Sequence, residues 1–187
     1  MPLAAAARFL HPASADPGSI RRGDAMFNPL SFVGFHTWLS LIAIIAGFPV
    51  AAGLLRGTIR TGWTHVFLST AFATSATGFG FPFAGLLPSH IIGAVALAIV
   101  SVAGFALYAR RLDGVWRRVY AITAMLSFYL LLFVLVAQLF LKVPALRALA
   151  PTGSEPPFAI AEGLLLVVFV PLIWLAARRF ARYRTLA

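Results

Sequence analysis

The sequence predicts an all-α polytopic membrane protein, a bundle of five transmembrane helices. Hydrophobic residues make up 61% of the 187-residue chain, and its mean hydropathy is +0.93. Charged residues supply only 11%, where a soluble domain carries about a quarter. The basic residues gather between five continuous apolar runs instead of being spread along the chain.

Span one runs from Phe32 to Leu55, interrupted only by Gly47 and Pro49. Span two is expected from Trp63 to Leu87, span three from Ile91 to Tyr108, span four from Val119 to Leu141 and span five from Phe158 to Ala177. Each is near the ~20 residues that carry a helix across the hydrocarbon. The runs do not alternate, as barrel strands would, so helices alone satisfy the backbone in lipid. Span two is the least apolar, with Ser69, Thr70, Thr74, Ser75 and Thr77 among alanines. Such residues favour close packing and hydrogen bonds between helices, which predicts span two inside the bundle. The run Gly78 to Phe83, with Pro82, is expected to loosen its end.

Charge sets the orientation. Arg56, Arg60, Arg110, Arg111, Arg117, Arg118, Arg178, Arg179, Arg182 and Arg184 fall on one side if five spans alternate. Lys142 and Arg147 fall on the other side, with Arg8, Arg21 and Arg22 of the N-terminal segment. The positive-inside rule makes the ten-arginine side cytoplasmic, with the N-terminus outside and the C-terminus inside. The expected compartment is the bacterial inner membrane. Residues 1–26 lack periodicity and read as a disordered tail, with Met26 a candidate true start. Residues 27–180 form the five-helix domain, and 181–187 a basic cytoplasmic tail.

The net charge of +10 does not indicate nucleic acid. Its arginines sit in pairs at span ends and not along an aromatic-lined stripe, which fits topology and headgroup anchoring. With no cysteine, thiolate metal sites and disulfides are excluded. No phosphate loop, zincin helix or nucleophile elbow occurs, so nothing supports catalytic turnover by this chain alone.

The topology brings four chemistry-bearing residues to similar depth near the outer face. His36 lies in span one, His90 at the start of span three, Gln138 in span four and Glu162 in span five. Ionisable groups at membrane depth are costly and usually functional. His36 and His90 suit axial ligation of one b-type haem, supported by Gln138 and Glu162. Alternatively, His36, His90 and Glu162 form an N,N,O set for a metal ion. A His–Glu pair also suits proton transfer. Against these stands the plain reading that each residue is an interfacial or packing group near a helix end. His65 is alone at the cytoplasmic end, so at most one haem is expected. Trp38, Trp63, Trp116 and Trp174 read as interfacial belt residues. The Pro-rich loop from Lys142 to Pro157 is expected to fold over the bundle mouth, because Val143, Ala145, Leu146 and Leu149 need cover.

Phe35-His36-Thr37, Gly62-Trp63-Thr64, Thr74 through Phe83, Leu87-Pro88-Ser89-His90, Phe133 through Gln138 and the loop Lys142 to Phe158 resemble a group of uncharacterised small bacterial inner-membrane proteins. The likeness covers residues 27–180 and implies no established activity. Its pattern admits Gln at the position of Glu162, which favours His36 and His90 as ligands. The leading expectation is a redox-associated membrane protein that binds haem or a metal at His36 and His90. The alternative is a non-catalytic accessory subunit of a larger membrane complex, or a homo-oligomer. A proton-coupled carrier is the third reading.

Overall fold

The computed structural model describes residues 28–81 and 88–182. The expected tail over 1–26, the end of span two over 82–87 and the tail beyond 182, including Arg184, lie outside the described residues. The chain divides into two units, Met1–Trp38 and Leu39–Ala187, with the boundary inside the first helix.

In the first unit, helix α1 (Phe32–Leu55) begins where Ser31 caps it. The Ser31 hydroxyl accepts from the Gly34 N–H at 3.0 Å and donates to the Asn28 carbonyl at 2.8 Å. A serine there satisfies a backbone donor that the first turn leaves without a partner.

In the second unit, α1 ends in a Schellman turn. Thr58 N–H donates to the Gly53 carbonyl and Gly57 N–H to that of Leu54. Gly57 has φ +68°, the left-handed conformation this cap requires. Next come α2 (Thr61–Gly78) and α3 (Pro88–Gly104), the latter running into a π-helical segment (Phe105–Ala109). Helix α4 (Trp116–Lys142), the short α5 (Pro144–Leu149) and α6 (Pro156–Phe180) complete the order. All the regular structure among the described residues is helical.

Helix α4 is the organising element and packs against α2, α3, α5 and α6. Its Phe128 is the hub of the core. The ring meets Phe48 of α1 at 5.0 Å, Phe67 of α2 at 6.3 Å and Phe169 of α6 at 5.7 Å between centroids. Buried alanines, among them Ala43, Ala46, Ala103, Ala121, Ala124 and Ala176, let the helices approach closely. Pro49 and Pro171 sit inside α1 and α6 without ending them, as neighbouring helices allow in membrane bundles.

Four helices are long and apolar enough to cross a membrane: Phe32–Leu55, His90–Ala109, Trp116–Lys142 and Pro156–Phe180. Helix α2 falls short among the described residues, because its threonines, serines and glycines dilute its apolar content. It buries Thr64, Phe67, Leu68, Ala71 and Thr74 yet exposes Trp63, Val66 and Phe72. The hydroxyls expected to join helices instead turn back on their own helix: Ser69 bonds the His65 carbonyl, Thr70 that of Val66 and Thr77 that of Ala73. Back-bonding of this kind satisfies the hydroxyl locally and leaves packing to small side chains. The helix stops at Gly78, at the glycine where loosening is expected.

The arginine-bearing ends meet at one end of this unit. Arg179 Nη1 donates to the Leu55 carbonyl at 2.9 Å. Tyr120, in the second turn of α4, packs on Phe180 at 5.6 Å. Trp116 stacks edge-on to Phe105 at 5.3 Å under the Arg110 guanidinium. His65 reaches Tyr108 across the α2–α3 pair.

Candidate functional site

Away from that arginine end, the second unit carries His90, Gln138 and Glu162. Two ring pairs fix the antiparallel register of α4 and α6. Phe140 packs on Phe158 at 5.5 Å and Tyr129 on Phe169 at 5.6 Å between centroids. Both contacts keep the same offset, so Glu162 lies level with Val136, half a turn from Gln138. The shared depth of Gln138 and Glu162 is therefore built into the helix pair.

Their side chains part company. The buried residues of α6 are Glu162, Phe169, Ala176 and Phe180, spacings of two helical turns or one that keep a single face. Glu162 is thus on the interior face, at 8% exposure, and neither carboxylate oxygen has a hydrogen-bond partner. Tyr129 lies within its electrostatic reach. Gln138 is exposed. It precedes the buried Phe140 by two residues, about 200° around the helix, and so points off the packed face.

His90 is half-buried in the first turn of α3. His36 belongs to the first unit, half-buried on α1. Among the described residues no group of three or more His, Cys, Asp or Glu side chains is placed to hold a metal ion. The three-ligand set expected from His36, His90 and Glu162 thus gains no support.

The loop between α4 and α6 is more ordered than its prolines imply. Pro144 starts α5, where its fixed φ suits a first helical turn. Ala150 is buried and Leu146 half-buried, while Val143, Ala145 and Leu149 stay exposed. The expected cover for these apolar side chains is therefore only partial. Ahead of α6, the Glu155 carboxylate accepts from the backbone N–H groups of Thr152 at 2.9 Å and Ser154 at 3.1 Å. These bonds, the Thr152 amide foremost, hold its carboxyl below the usual carboxylate range.

At the arginine end, His65 has a partner that no motif announces. Its Nδ1 lies 2.6 Å from the Tyr108 hydroxyl, with the two rings stacked at 5.6 Å. Tyr108 sits in the π-helical segment, and only the antiparallel pairing of α2 with α3 brings it to His65. Comparison of the chain with protein-family models, curated proteins and solved structures gave no match.

Proposed function

We propose that the chain crosses the bacterial inner membrane five times, N-terminus outside and C-terminus in the cytoplasm, and binds a proton or a cation at Glu162 in its outer half. The single observation carrying the site is the buried Glu162 carboxylate with no hydrogen-bond partner. An unpaired carboxylate charge among apolar side chains is costly, so the group takes a proton or a matching cation. Its place on the inner face of an apolar helix suits a site reached from the outer end.

The meeting of the arginine-bearing ends supports the topology. If α2 crosses as the fifth span, the connections around Arg56–Arg60 and Arg110–Arg118 share one side with the C-terminal arginines, as the positive-inside rule requires. At 18 residues α2 reaches ~27 Å, close to the ~30 Å hydrocarbon thickness. The chain lacks cysteine, so single cysteines report sidedness without background. Thr58→Cys and Asp113→Cys should both label only from the cytoplasmic side, and Ser154→Cys only from outside. Labelling of the first two from opposite sides would end the five-span reading.

For the site, infrared difference spectra across a pH titration should show a carboxylic-acid carbonyl band that Glu162→Gln removes. A spectrum identical in the two proteins would refute proton binding there, and calorimetry with monovalent and divalent cations addresses the cation form. The redox form of the proposal adds one b-type haem on the histidines. Oxidised and dithionite-reduced absorption spectra of protein expressed with haem precursor decide it. A Soret band lost in His36→Ala and His90→Ala supports haem, and a colourless protein excludes it.

A further inference from the structure

At the arginine end, a cavity of about 480 Å³ opens between the end of α1 and the last turns of α6. Its walls include Arg56, Arg178, Arg179 and Arg182, with Leu55 and Trp174. No carboxylate contributes to this lining, and none of the four arginines is paired with one among the described residues. Four cations so close repel one another, and an open cleft that gathers them favours an anion.

The cleft is built, because both its walls are fixed. Arg179 is held to the Leu55 carbonyl at 2.9 Å. The left-handed Gly57 lets the turn after α1 press against the Arg179 carbonyl, where even an added Cβ would sit at 3.1 Å. The Arg178 guanidinium lies 3.9 Å over the Trp174 ring, which orients its plane while leaving its edge donors available. Trp174 and Leu55 give the cleft an apolar side directly below its cationic rim.

From this geometry we infer that the cleft binds the phosphate of one anionic phospholipid, the arginines holding the headgroup while an acyl chain runs down past Trp174 and Leu55. Guanidinium groups bind phosphate oxygens in paired, charge-assisted hydrogen bonds. Basic pockets between membrane helices on the cytoplasmic side are suited to such headgroups. The apolar wall favours a lipid over a free phosphate ion, which would use only the rim. The inference depends on membrane insertion and is independent of Glu162.

Native mass spectrometry of the full chain in detergent, titrated separately with phosphatidylglycerol, phosphatidylcholine of the same acyl chains and inorganic phosphate, tests it. The expected result is one retained phosphatidylglycerol per chain, with weak binding of phosphatidylcholine. Arg56→Gln with Arg178→Gln should weaken binding by about tenfold for each arginine removed. The charge-matched pair Arg60→Gln with Arg118→Gln, outside the cleft, should leave it unchanged. Arg182→Gln, a single exposed change, carries the test if the double variant fails to fold. Equal retention of the two lipids, or equal loss in the charge-matched control, would overturn the inference. Binding of inorganic phosphate that displaces the lipid and shows the same arginine dependence would overturn the lipid assignment, making a soluble phosphate the ligand.

Discussion

Arg179 donates from Nη1 to the Leu55 carbonyl at 2.9 Å, tying the last turn of α6 to the last turn of α1, residues far apart in the chain. The carbonyl is one that a helix end leaves without an internal partner, so one bond both caps a helix and closes the bundle. Its geometry depends on Gly57, whose φ of +68° steers the chain away just beneath the Arg179 carbonyl.

Gly57→Val should therefore lower stability by ~1–2 kcal/mol from the left-handed backbone alone, with a further loss from crowding against Arg179. Thermal unfolding in mild detergent measures this. A variant as stable as the parent would mean that the turn is free to rearrange.

Gly47 should tolerate still less. A Cβ added there would fall on the Phe128 ring, and that ring is confined by Phe48, Phe67 and Phe169. Gly47→Val is expected to destabilise by ~1–3 kcal/mol through overpacking. Phe128→Leu in the same background should recover part of the loss, and failure to do so would show that the two sites are not in contact.

Replacing Glu162 should separate stability from function. Its carboxylate oxygens have no partner, so Glu162→Leu is expected to stabilise the protein by ~1–3 kcal/mol, the cost of leaving a buried polar group unsatisfied. Loss of stability by the same amount would mean that the carboxylate has a structural partner in the membrane. Glu162→Gln, nearly the same shape, should keep the fold and lose only the proton or cation.

The loop before α6 should respond to acid. Bonds from the Thr152 and Ser154 amides hold the Glu155 carboxyl below the ordinary range. A depressed value means that the contribution is complete above the unfolded-state value and is lost as pH falls through the lower folded one. Hydrogen exchange at Thr152 and Ser154 should accordingly quicken in that acid window, beyond the intrinsic pH effect. Glu155→Gln should remove the extra dependence, and equal profiles for the two proteins would argue against it.

Helix existence and the crowding of arginines at one end were legible in the sequence, because long apolar runs and paired arginines report directly on lipid and water. Span one is found at its expected bounds, Phe32–Leu55. Facing directions were harder to read. Gln138 and Glu162 share a depth as expected, but only the contact of α4 with α6 decides that Glu162 turns inward and Gln138 outward. The hydroxyls of α2 misled because a serine or threonine can bond its own helix as readily as a neighbour. Tyr108 was invisible as the partner of His65, since the pairing depends on where two distant helices cross and on a local change of helical pitch.

That change of pitch has a consequence for how the chain can vary in length. The Phe105–Ala109 segment holds its last turn with a bond from Arg110 N–H to the Phe105 carbonyl, one residue wider than an α-helical turn. Deleting one residue there would leave a regular helix but rotate everything after it by about 100° relative to what precedes it. Tyr108 would swing away from His65, and the Arg111–Leu112 pair, with φ of 49° and 58°, would meet α4 out of phase. The wide turn is a spacer that sets the phase between α3 and α4, and the chain tolerates its sequence changing more readily than its length.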